Sequence, residues 1–559
     1  MKYMKLGTKP DTFYTEEAVR SVLSDVPTDL IVHVNNTKYL LHKFPLLLKC
    51  GLLQRLCSDT DDEAGQPIPV ALHDIPGGEE AFELCTKFCY GITISLSAHN
   101  FMPAILAARF LRMTESAAKG NLVMKLESFF DSCILQGWKD SIAALQSAWK
   151  LSGWSENRIV QPCLDSIVEK ILIHPSKVTW SYTYTRPGYN KKQHQSVPKD
   201  WWTEDISELD LDIFRSIIST IRATKALPPQ LIGEAIHVYA CKHLPDPPNS
   251  KWPAQSSMAR AEETLAKHRR VLESIVSMIP SEPSSVSCRF LLRLLKVANI
   301  IDASPSTRAE LIRRAGRQLD EANVTDLLVP LPSNPKSYDV SAVEAVMDTF
   351  LAQFRRSVAP ENSEKMIRSM SKVVKIFDSY LQVIAHDADL LVSKFIDLAE
   401  SLPELARQEH DGLYQAIDTY LKEHRELSKE ERKQLCRMID CRKLSPQMRA
   451  QAIANDQMPL RTIVQLLFIE QEKAGGASGS RGIPLDQSVD ILNARMAMEE
   501  ERWSEQGHGG GQQLRRELTQ RERTDNTVIT RSSSGSKVAK KKEILEEKGA
   551  GMVSKLQTK

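Results

Sequence analysis

The amino-acid sequence predicts an α+β domain at the N-terminus, followed by a large all-α domain and a flexible C-terminal tail. Apolar residues alternate over residues 30–34 and recur over 39–41, with an Asn-Asn dipeptide between the two runs, which is typical of a β-hairpin. From residue 126 to about 473, apolar residues recur at the three- and four-residue spacing of amphipathic helices. The composition changes after Gln471, where glycine, serine and charged residues replace the apolar stripes.

The predicted α+β domain spans residues 28–125. A helix that begins at a proline follows the hairpin, and an apolar stretch at residues 68–72 predicts a third strand. Helical patterns at residues 79–91 and 100–111 complete the mixture of strands and helices. Residues 1–27 form a short N-terminal segment for which the sequence predicts no element.

His42, Cys85 and Cys89 are the candidate metal ligands weighed in this domain. His42 lies at the predicted junction of strand and helix, where a partly buried histidine bonded to the backbone is favoured, because no second ligand stands at a suitable spacing. Cys85 and Cys89 are one helical turn apart, but they share their face with Phe82 and Phe88. We therefore interpret both cysteines as small core residues and expect neither a metal site nor a cofactor.

The all-α part of the chain is predicted in two pieces. Residues 126–179 form a helical extension, and residues 180–199, which are polar, aromatic and interrupted by prolines, form a linker. The main helical domain spans residues 200–473 and opens at a pair of tryptophans. No strict repeat period is visible, although successive helices of this kind can stack as a solenoid.

The end of that domain, residues 411–471, contains four short helical patterns. Ser428 followed by Glu431 predicts a capping box at the start of the second helix, and Ser445 before Pro446 predicts the start of the third. Helices of this length are marginal alone, so we expect them to pack on one another.

No pattern in the chain predicts an active site. The sequence contains no phosphate-binding loop, no dinucleotide-binding glycine motif, no HExxH zinc motif and no GxSxG nucleophile elbow. Cys436 and Cys441 lie beside Arg437, Arg442 and Lys443, which would favour a reactive thiolate, but no partner histidine accompanies them. Packing of small residues at a helix–helix turn is the favoured interpretation, and we expect a protein that is not an enzyme.

Charge, cysteine content and hydropathy limit the partners and the cellular location that the sequence predicts. Lysine and arginine number 73 against 71 aspartate and glutamate, and a net charge of +2 predicts no nucleic-acid partner. Ten cysteines without a secretory leader indicate free thiols in a reducing compartment. No apolar run approaches the roughly 20 residues that span a bilayer, so we expect a soluble protein or one peripheral to a membrane.

Three segments between residues 411 and 471 carry a family resemblance: LYQAIDTYLKEH, CRMIDCRKLS and MPLRTIVQLLFIEQ. They resemble the C-terminal signature of the plant non-phototropic-hypocotyl/root-phototropism family, the NRL proteins. Three earlier segments of the helical domain are similar to the same family: DWWTEDISELDLDIF, CRFLLRLLKVANIIDAS and LIRRAGRQLDEANVTDLLVP. The resemblance covers most of the chain up to about residue 473.

Residues 28–125 also resemble a BTB/POZ domain, through Asp29, the His42-Lys43 pair and the helix behind them. This resemblance implies a homo- or hetero-dimer, or binding to a cullin-type ubiquitin-ligase scaffold. BTB domains that recruit cullin-3 often carry an apolar residue two positions before a glutamate just after that helix. This chain has CSDTDDEAG there, at residues 57–65, so cullin binding rests on the family alone.

The resemblance implies a non-catalytic adaptor in plant signalling. It would be a substrate-specific adaptor of a cullin-3 E3 ubiquitin ligase, acting in protein ubiquitination and in phototropic or auxin-related responses. The alternative is a scaffold at the plasma membrane for AGC kinases or phototropins that does not engage a ubiquitin ligase. A BTB transcription regulator is the weakest option, because the chain has no zinc-finger spacing and no basic domain. The implied location is the cytoplasm, peripheral to the plasma membrane.

Two candidate phosphorylation sites follow from the resemblance. Tyr414 lies in the family's LYxAIDxYLK motif, although its neighbours Leu413 and Ile417 favour burial of the ring at least as strongly. Ser534 ends an Arg-Ser-Ser-Ser sequence, whose arginine suits kinases of the AGC type. A phosphate there would fit the arginine-lined groove of a 14-3-3 protein.

The tail, residues 474–559, has a loose apolar stripe at residues 486–503 that predicts one short amphipathic helix. Four lysines near its end form a basic cluster beside an Ile-Leu pair: Lys537, Lys540, Lys541 and Lys542. Each lysine near an anionic membrane contributes about 1 kcal/mol, so the cluster predicts marginal, reversible attachment that a phosphate on Ser534 would oppose.

Overall fold

The structure is a computed structural model, and it describes residues 2–58, 67–152, 157–187, 189, 196–246, 258–331, 337–356, 363–403 and 406–476. The chain divides into two compact units, residues 1–457 and residues 458–559. All the named strands lie within residues 3–97, and the described chain after them is largely helical. This confirms the predicted order of a mixed region before a helical one.

The strands of the mixed region are β1 (Tyr3–Leu6), β2 (Phe13–Glu16), β3 (Val19–Val22), β4 (Leu30–Val34), β5 (Thr37–Leu41), β6 (Ile68–Leu72) and β7 (Ile94–Ser97). Five of them form one sheet in the order β2-β3-β5-β4-β6. The central strands β4 and β5 are antiparallel, and the turn between them places Asn35 at a φ of 51°, a left-handed conformation that asparagine tolerates. The predicted hairpin and third strand are therefore confirmed.

A second sheet has two strands, because β1 pairs antiparallel with β7, with Tyr3 opposite Ser97 and Leu6 opposite Ile94. The sequence does not predict β1, β2, β3 or β7. Each of these strands has only four residues, and most side chains of the first two remain partly or fully exposed. A strand so short and so little buried leaves almost no periodic signal.

Seven helices accompany and follow these sheets: α1 (Lys43–Leu47), α2 (Gly51–Ser58), α3 (Gly78–Tyr90), α4 (Phe101–Phe110), α5 (Leu122–Phe129), α6 (Trp138–Ser152) and α7 (Asn157–Leu172). The single helix predicted after the hairpin is wrong, because α1 and α2 are separate. Gly51 and Leu52, at the start of α2, donate their backbone N–H groups to Arg112 and Leu111 at the end of α4. These bonds between distant segments set a new direction for the chain after α1.

The helical region contains α8 (Thr203–Ile206), α9 (Leu211–Thr224), α10 (Pro229–His243), α11 (Met258–Met278), α12 (Cys288–Ile300), α13 (Pro305–Gly316), α14 (Val324–Leu327), α15 (Val340–Arg356), α16 (Ser363–Ile384), α17 (Val392–Ser401), α18 (Asp411–Glu423), α19 (Lys429–Arg437) and α20 (Pro446–Ala454). In the second unit the structure describes one helix, α21 (Leu460–Gly476). The four helices predicted between residues 411 and 471 are α18 to α21. No helix among the described residues is both long and apolar enough to cross a membrane.

Residues 180–187, in the first part of the predicted linker, are anchored rather than free. Trp180 and Tyr182 pack their rings against Trp201, with ring centres 5.6 Å away in each case. The backbone N–H of Thr183 donates to Asp205, whose carboxylate also accepts from the buried indole of Trp138 at 2.6 Å. This segment therefore lies against α6 and α8, which its sequence does not predict.

Candidate functional site

The described residues contain no group of three His, Cys, Asp or Glu side chains that converge as metal ligands. Cys85 and Cys89 are buried on α3 with Phe82 and Phe88, as interpreted. The sulfur of Cys89 lies 3.7 Å from that of Cys50, and both cysteines are free thiols. These cysteines fill the core of the mixed region.

Two exposed apolar side chains of the mixed region lie on α1 and at its C-terminal end. Phe44 is 75% exposed and Leu48 is 52% exposed, one helical turn apart, so they project from the same face. Val26, which is 62% exposed, is held next to the start of this helix because its carbonyl oxygen lies 2.9 Å from the ring Nε2 of His42. We call Val26, Phe44 and Leu48 the α1 surface.

His42 fixes the position of the α1 surface. Because its Nε2 faces a carbonyl oxygen, that nitrogen donates, and Nδ1 then accepts from the Tyr90 hydroxyl at 3.0 Å. The backbone N–H of His42 also donates to the Tyr90 oxygen, and that of Lys43 donates to Asp29 at 2.6 Å. The histidine is buried and bonded to the backbone, which confirms its interpretation. Asp29 and His42, which carry the BTB/POZ resemblance, thus anchor the helix that presents the apolar side chains.

The two-stranded sheet of β1 and β7 lies in the same region. A two-stranded sheet is marginally stable in water, and an edge strand offers unpaired backbone groups to a further strand. Tyr3 on β1 is 67% exposed, and the Lys5 ammonium lies 5.9 Å from the centre of its ring. Strand β1 is therefore a second element suited to contact another molecule.

Tyr414 is buried on α18, with 2% of its surface exposed. Its hydroxyl accepts from the side-chain amide of Asn455 at 3.3 Å, and burial raises the pKa of the phenol. A kinase reaches this hydroxyl only when α18 opens locally, because the ring packs in the interior. Phosphorylation of Tyr414 stays a prediction.

Just before α18, a buried ion pair joins two segments of the helical region. Arg407 lies 2.9 Å from Asp378 of α16 through Nε, and it also donates to the carbonyl oxygen of Ala399. His410, also buried, accepts the backbone N–H of Asp440 at 3.0 Å. The side chains just before α18 therefore serve internal packing of the helical region.

Cys436 and Cys441 are both buried. Burial raises the pKa of the Cys436 thiol to about 12, and it raises the pKa of Cys441 as well. Burial of both side chains agrees with their interpretation as packing residues. The neighbouring basic side chains do not outweigh the effect of burial on either thiol pKa.

A cleft of about 390 Å³ lies beside α6 and α8. Its lining includes Lys139, Gln146 and Asp205, which bond to protein groups: the Lys139 ammonium donates to the Thr183 hydroxyl at 2.9 Å, and Gln146 donates to Asp210 at 2.9 Å. These contacts connect α6 with the segments that follow it. Contacts within the protein therefore account for these three polar side chains of the cleft.

The remaining sequence-predicted sites lie outside the described residues. These are Ser534, Lys537, Lys540, Lys541 and Lys542, together with the amphipathic helix predicted at residues 486–503.

Comparison with known proteins places this architecture in a family. Residues 200–448 match the model of the NPH3 family. A BTB/POZ domain-containing protein of Arabidopsis thaliana is 54% identical over 487 residues, which cover 86% of this chain and 87% of the relative. From the same organism, the phototropic-responsive NPH3 family protein NPY1 is 38% identical over 492 residues, covering 85% and 82%. Root phototropism protein 3 is 34% identical over 581 residues, covering 84% and 77%. Because identity and coverage are this high over nearly the whole length, the chain belongs to the NPH3 family.

Proposed function

We propose that this protein is a non-catalytic adaptor whose mixed region contains a BTB/POZ domain, residues 28–125, and self-associates through the α1 surface. The observation that carries this proposal is the exposure of Phe44 and Leu48 on a helix held rigidly by His42 and Asp29. Burying a large apolar side chain stabilises an association by about 1.5–3 kcal/mol, so two such residues per protomer suit a symmetric interface.

The helical region, residues 200–473, would then hold the client. By family membership, the adaptor would present that client to a cullin-3 E3 ubiquitin ligase in phototropic or auxin-related responses. The names of the relatives support the BTB/POZ and phototropic parts of this proposal, because they join BTB/POZ proteins with proteins of phototropic response.

The alternative function is a plasma-membrane scaffold for AGC kinases or phototropins without ubiquitin-ligase engagement. The sequence CSDTDDEAG at residues 57–65 favours it, because the apolar residue two positions before the glutamate is absent. In this alternative, phosphorylation of Ser534 would recruit a 14-3-3 protein and weaken attachment through the four tail lysines.

Sedimentation velocity of the full chain at micromolar concentration tests self-association. We expect the parent to sediment as a dimer and the double variant Phe44→Ser/Leu48→Ser to sediment as a monomer. Ile367→Ser is the matched control, because Ile367 is 56% exposed on α16, away from the mixed region. A monomeric parent, or a double variant that dimerises as well as the control, would rule out this interface.

Binding assays with purified partners separate the two functions. A substrate adaptor retains purified cullin-3 on the immobilised full chain, whereas a scaffold retains none above background. For the tail, we expect Ser534→Ala to abolish 14-3-3 binding and to increase the membrane-bound fraction. If the Ser534→Ala variant captures a 14-3-3 protein as well as the parent, the switch does not lie at this serine.

A further inference from the structure

A cluster of side chains between α10 and α12 has no part in the proposed adaptor surface. Cys241 is solvent-exposed in the last turn of α10. The ring Nε2 of His237 lies 3.4 Å from its sulfur, and Arg293 of α12 donates from Nη1 to the same sulfur at 3.2 Å. Glu234 lies 3.6 Å from the other ring nitrogen of His237. The sulfur therefore faces two groups that can carry positive charge.

One face of α10 and contacts from other segments together form this arrangement. Glu234, His237 and Cys241 stand at spacings of three and four along α10, which places them on one helix face. Two further contacts hold the His237 ring and the Glu234 carboxylate in place. The Phe290 ring of α12 packs edge-on against the imidazole at 4.9 Å, and Arg186 lies 2.8 Å from the Glu234 carboxylate. The imidazole is thus held between a carboxylate and the sulfur.

Charge favours a thiolate–imidazolium pair. The hydrogen bond from His237 lowers the pKa of the Cys241 thiol, and the nearby Arg293 guanidinium lowers it further against the opposing effect of burial. The bond to Cys241 and the contact with Glu234 raise the pKa of the imidazole to about 9. Cys163 shows the opposite effect, since burial raises its thiol pKa to about 12.

Two other carboxylates near the end of α10 oppose a negative sulfur, as do the carbonyl groups of the helix C-terminus. Both carboxylates are paired with cations: Glu208 with Lys242, and Asp246 with Arg293, whose Nε lies 3.7 Å away. His243 is engaged elsewhere, with its Nε2 2.8 Å from the carbonyl oxygen of Ser207. His237 and Arg293, in contrast, contact the sulfur directly, at 3.4 and 3.2 Å.

We propose that Cys241 is a redox-modification site, where a thiolate reacts with a hydroperoxide and the product then reacts with a low-molecular-weight thiol such as glutathione. The chemistry needs an exposed sulfur, a neighbouring cation to stabilise the thiolate and a proton donor beside it. Cys241, Arg293 and His237 supply these three features in that order.

The reaction balances with the groups present and the hydroperoxide as oxidant. The sulfur attacks the terminal oxygen of the hydroperoxide, so that an S–O bond forms and the O–O bond breaks. The leaving alkoxide or hydroxide takes the proton from the His237 imidazolium, while the sulfur loses two electrons to the peroxide. A thiol then attacks the sulfenic acid, forming an S–S bond and releasing water without a further oxidant.

Modification would also change the structure around it. Once the sulfur is neutral, His237 and Arg293 lose the anion that lies between them. The contact that the sulfur makes between α10 and α12 is then weakened, within the region that the adaptor would use for its client. The redox state of Cys241 would in this way change the packing of the helical region without involving the α1 surface.

Site-resolved mass spectrometry of the full chain tests the proposal. The reduced protein is treated with substoichiometric hydrogen peroxide and a dimedone probe, and separately with limiting iodoacetamide across a range of pH. Cys133 is the internal reference, since it is half-buried and its recorded contact is the neighbouring Ser132 hydroxyl. We expect Cys241 to react about tenfold faster than Cys133 at neutral pH, with its alkylation midpoint at lower pH.

Variants then separate activation from simple exposure. We expect His237→Gln and Arg293→Gln each to slow Cys241 at least about threefold, while the Cys133 rate stays unchanged. His386→Gln is the matched control, because that histidine contacts Glu423 at 3.1 Å on the surface of the helical region. Circular dichroism checks that each variant is folded.

Two results would overturn the proposal. One is equal reactivity of Cys241 and Cys133 in the parent protein. This result requires no variant, so it does not depend on whether a variant folds. The other is a Cys241 rate in the folded His237→Gln variant that matches the rate in His386→Gln.

Discussion

On α1, two large apolar side chains face solvent, whereas beside α16 two opposite charges are buried in the protein interior. Phe44 and Leu48 expose 75% and 52% of their surface, while Arg407 and Asp378 expose 6% each. Both arrangements reverse the usual distribution of residues between surface and core. An exposed apolar face is removed from water when another molecule covers it, and a buried charge requires its partner inside the same chain.

This difference assigns different roles to the two regions. The mixed region has its atypical residues on a rigid surface, as expected for a module that associates. In the helical region, Arg407 and Asp378 lie in the interior, where they join segments that are distant in sequence. Substitutions in the helical region should therefore change its stability, and substitutions on the α1 surface should change association.

The largest effect on stability is expected from Asp378→Ala. Burial raises the pKa of the Asp378 carboxyl, and the adjacent Arg407 guanidinium opposes that shift. Removing the carboxylate leaves Arg407 buried without its counter-charge, which lowers the free energy of unfolding by about 3–5 kcal/mol. Urea unfolding followed by circular dichroism measures the loss. As a control, Glu430→Ala removes a surface partner of Lys433 and should leave the midpoint unchanged. A loss for Asp378→Ala no greater than for this control would contradict the comparison.

A smaller effect is expected from Tyr420→Phe. The buried Tyr420 hydroxyl donates to the carbonyl oxygen of Leu390 at 2.6 Å, which ties α18 to the chain before α17. Loss of this bond leaves the carbonyl without that partner and lowers the free energy of unfolding by about 1–2 kcal/mol. Tyr14→Phe, at a tyrosine that is 49% exposed in the mixed region, should have no measurable effect. Equal unfolding free energies for Tyr420→Phe and Tyr14→Phe would contradict a stabilising role for this hydrogen bond.

The smallest effect is expected at the surface of the helical region, and it depends on pH. Because the pKa of His237 rises from its ordinary 6.5 to about 9 on folding, the protonated form binds its neighbours in the native state. This contribution is fully present below pH 6.5 and is lost as pH rises through about 9. The difference in unfolding free energy between the parent and His237→Gln should therefore shrink from pH 6.5 to above pH 9. A difference that grows with pH would contradict this sign.

Local patterns were predicted well because they depend on neighbours in sequence. The capping box is present, with Ser428 accepting from the backbone of Glu431 and the Glu431 carboxylate accepting from the backbone of Ser428. Ser445 caps α20 by accepting from Met448, with Pro446 at the first helical position. A side chain and a backbone group three residues apart determine each feature, so the sequence contains all the required information.

The family membership could also be predicted, because long signature segments lie in the helical region. The site geometry could not. Apolar periodicity indicates that α1 has a buried face, but it does not say whether Phe44 or Leu46 occupies that face. The structure buries Leu46 and exposes Phe44, since contacts from Asp29, His42 and Tyr90 set the rotation of the helix.

By itself, the sequence determined the order of a mixed region before a helical one, the hairpin, the helix caps and the family. Only the tertiary structure decided that Arg293 meets Cys241 across 52 residues, and that Arg407 meets Asp378 across 29. The physical reason is the range of the interactions. Caps and turns are stabilised by groups within a few residues, whereas charge pairs and exposed faces depend on which distant helices pack together.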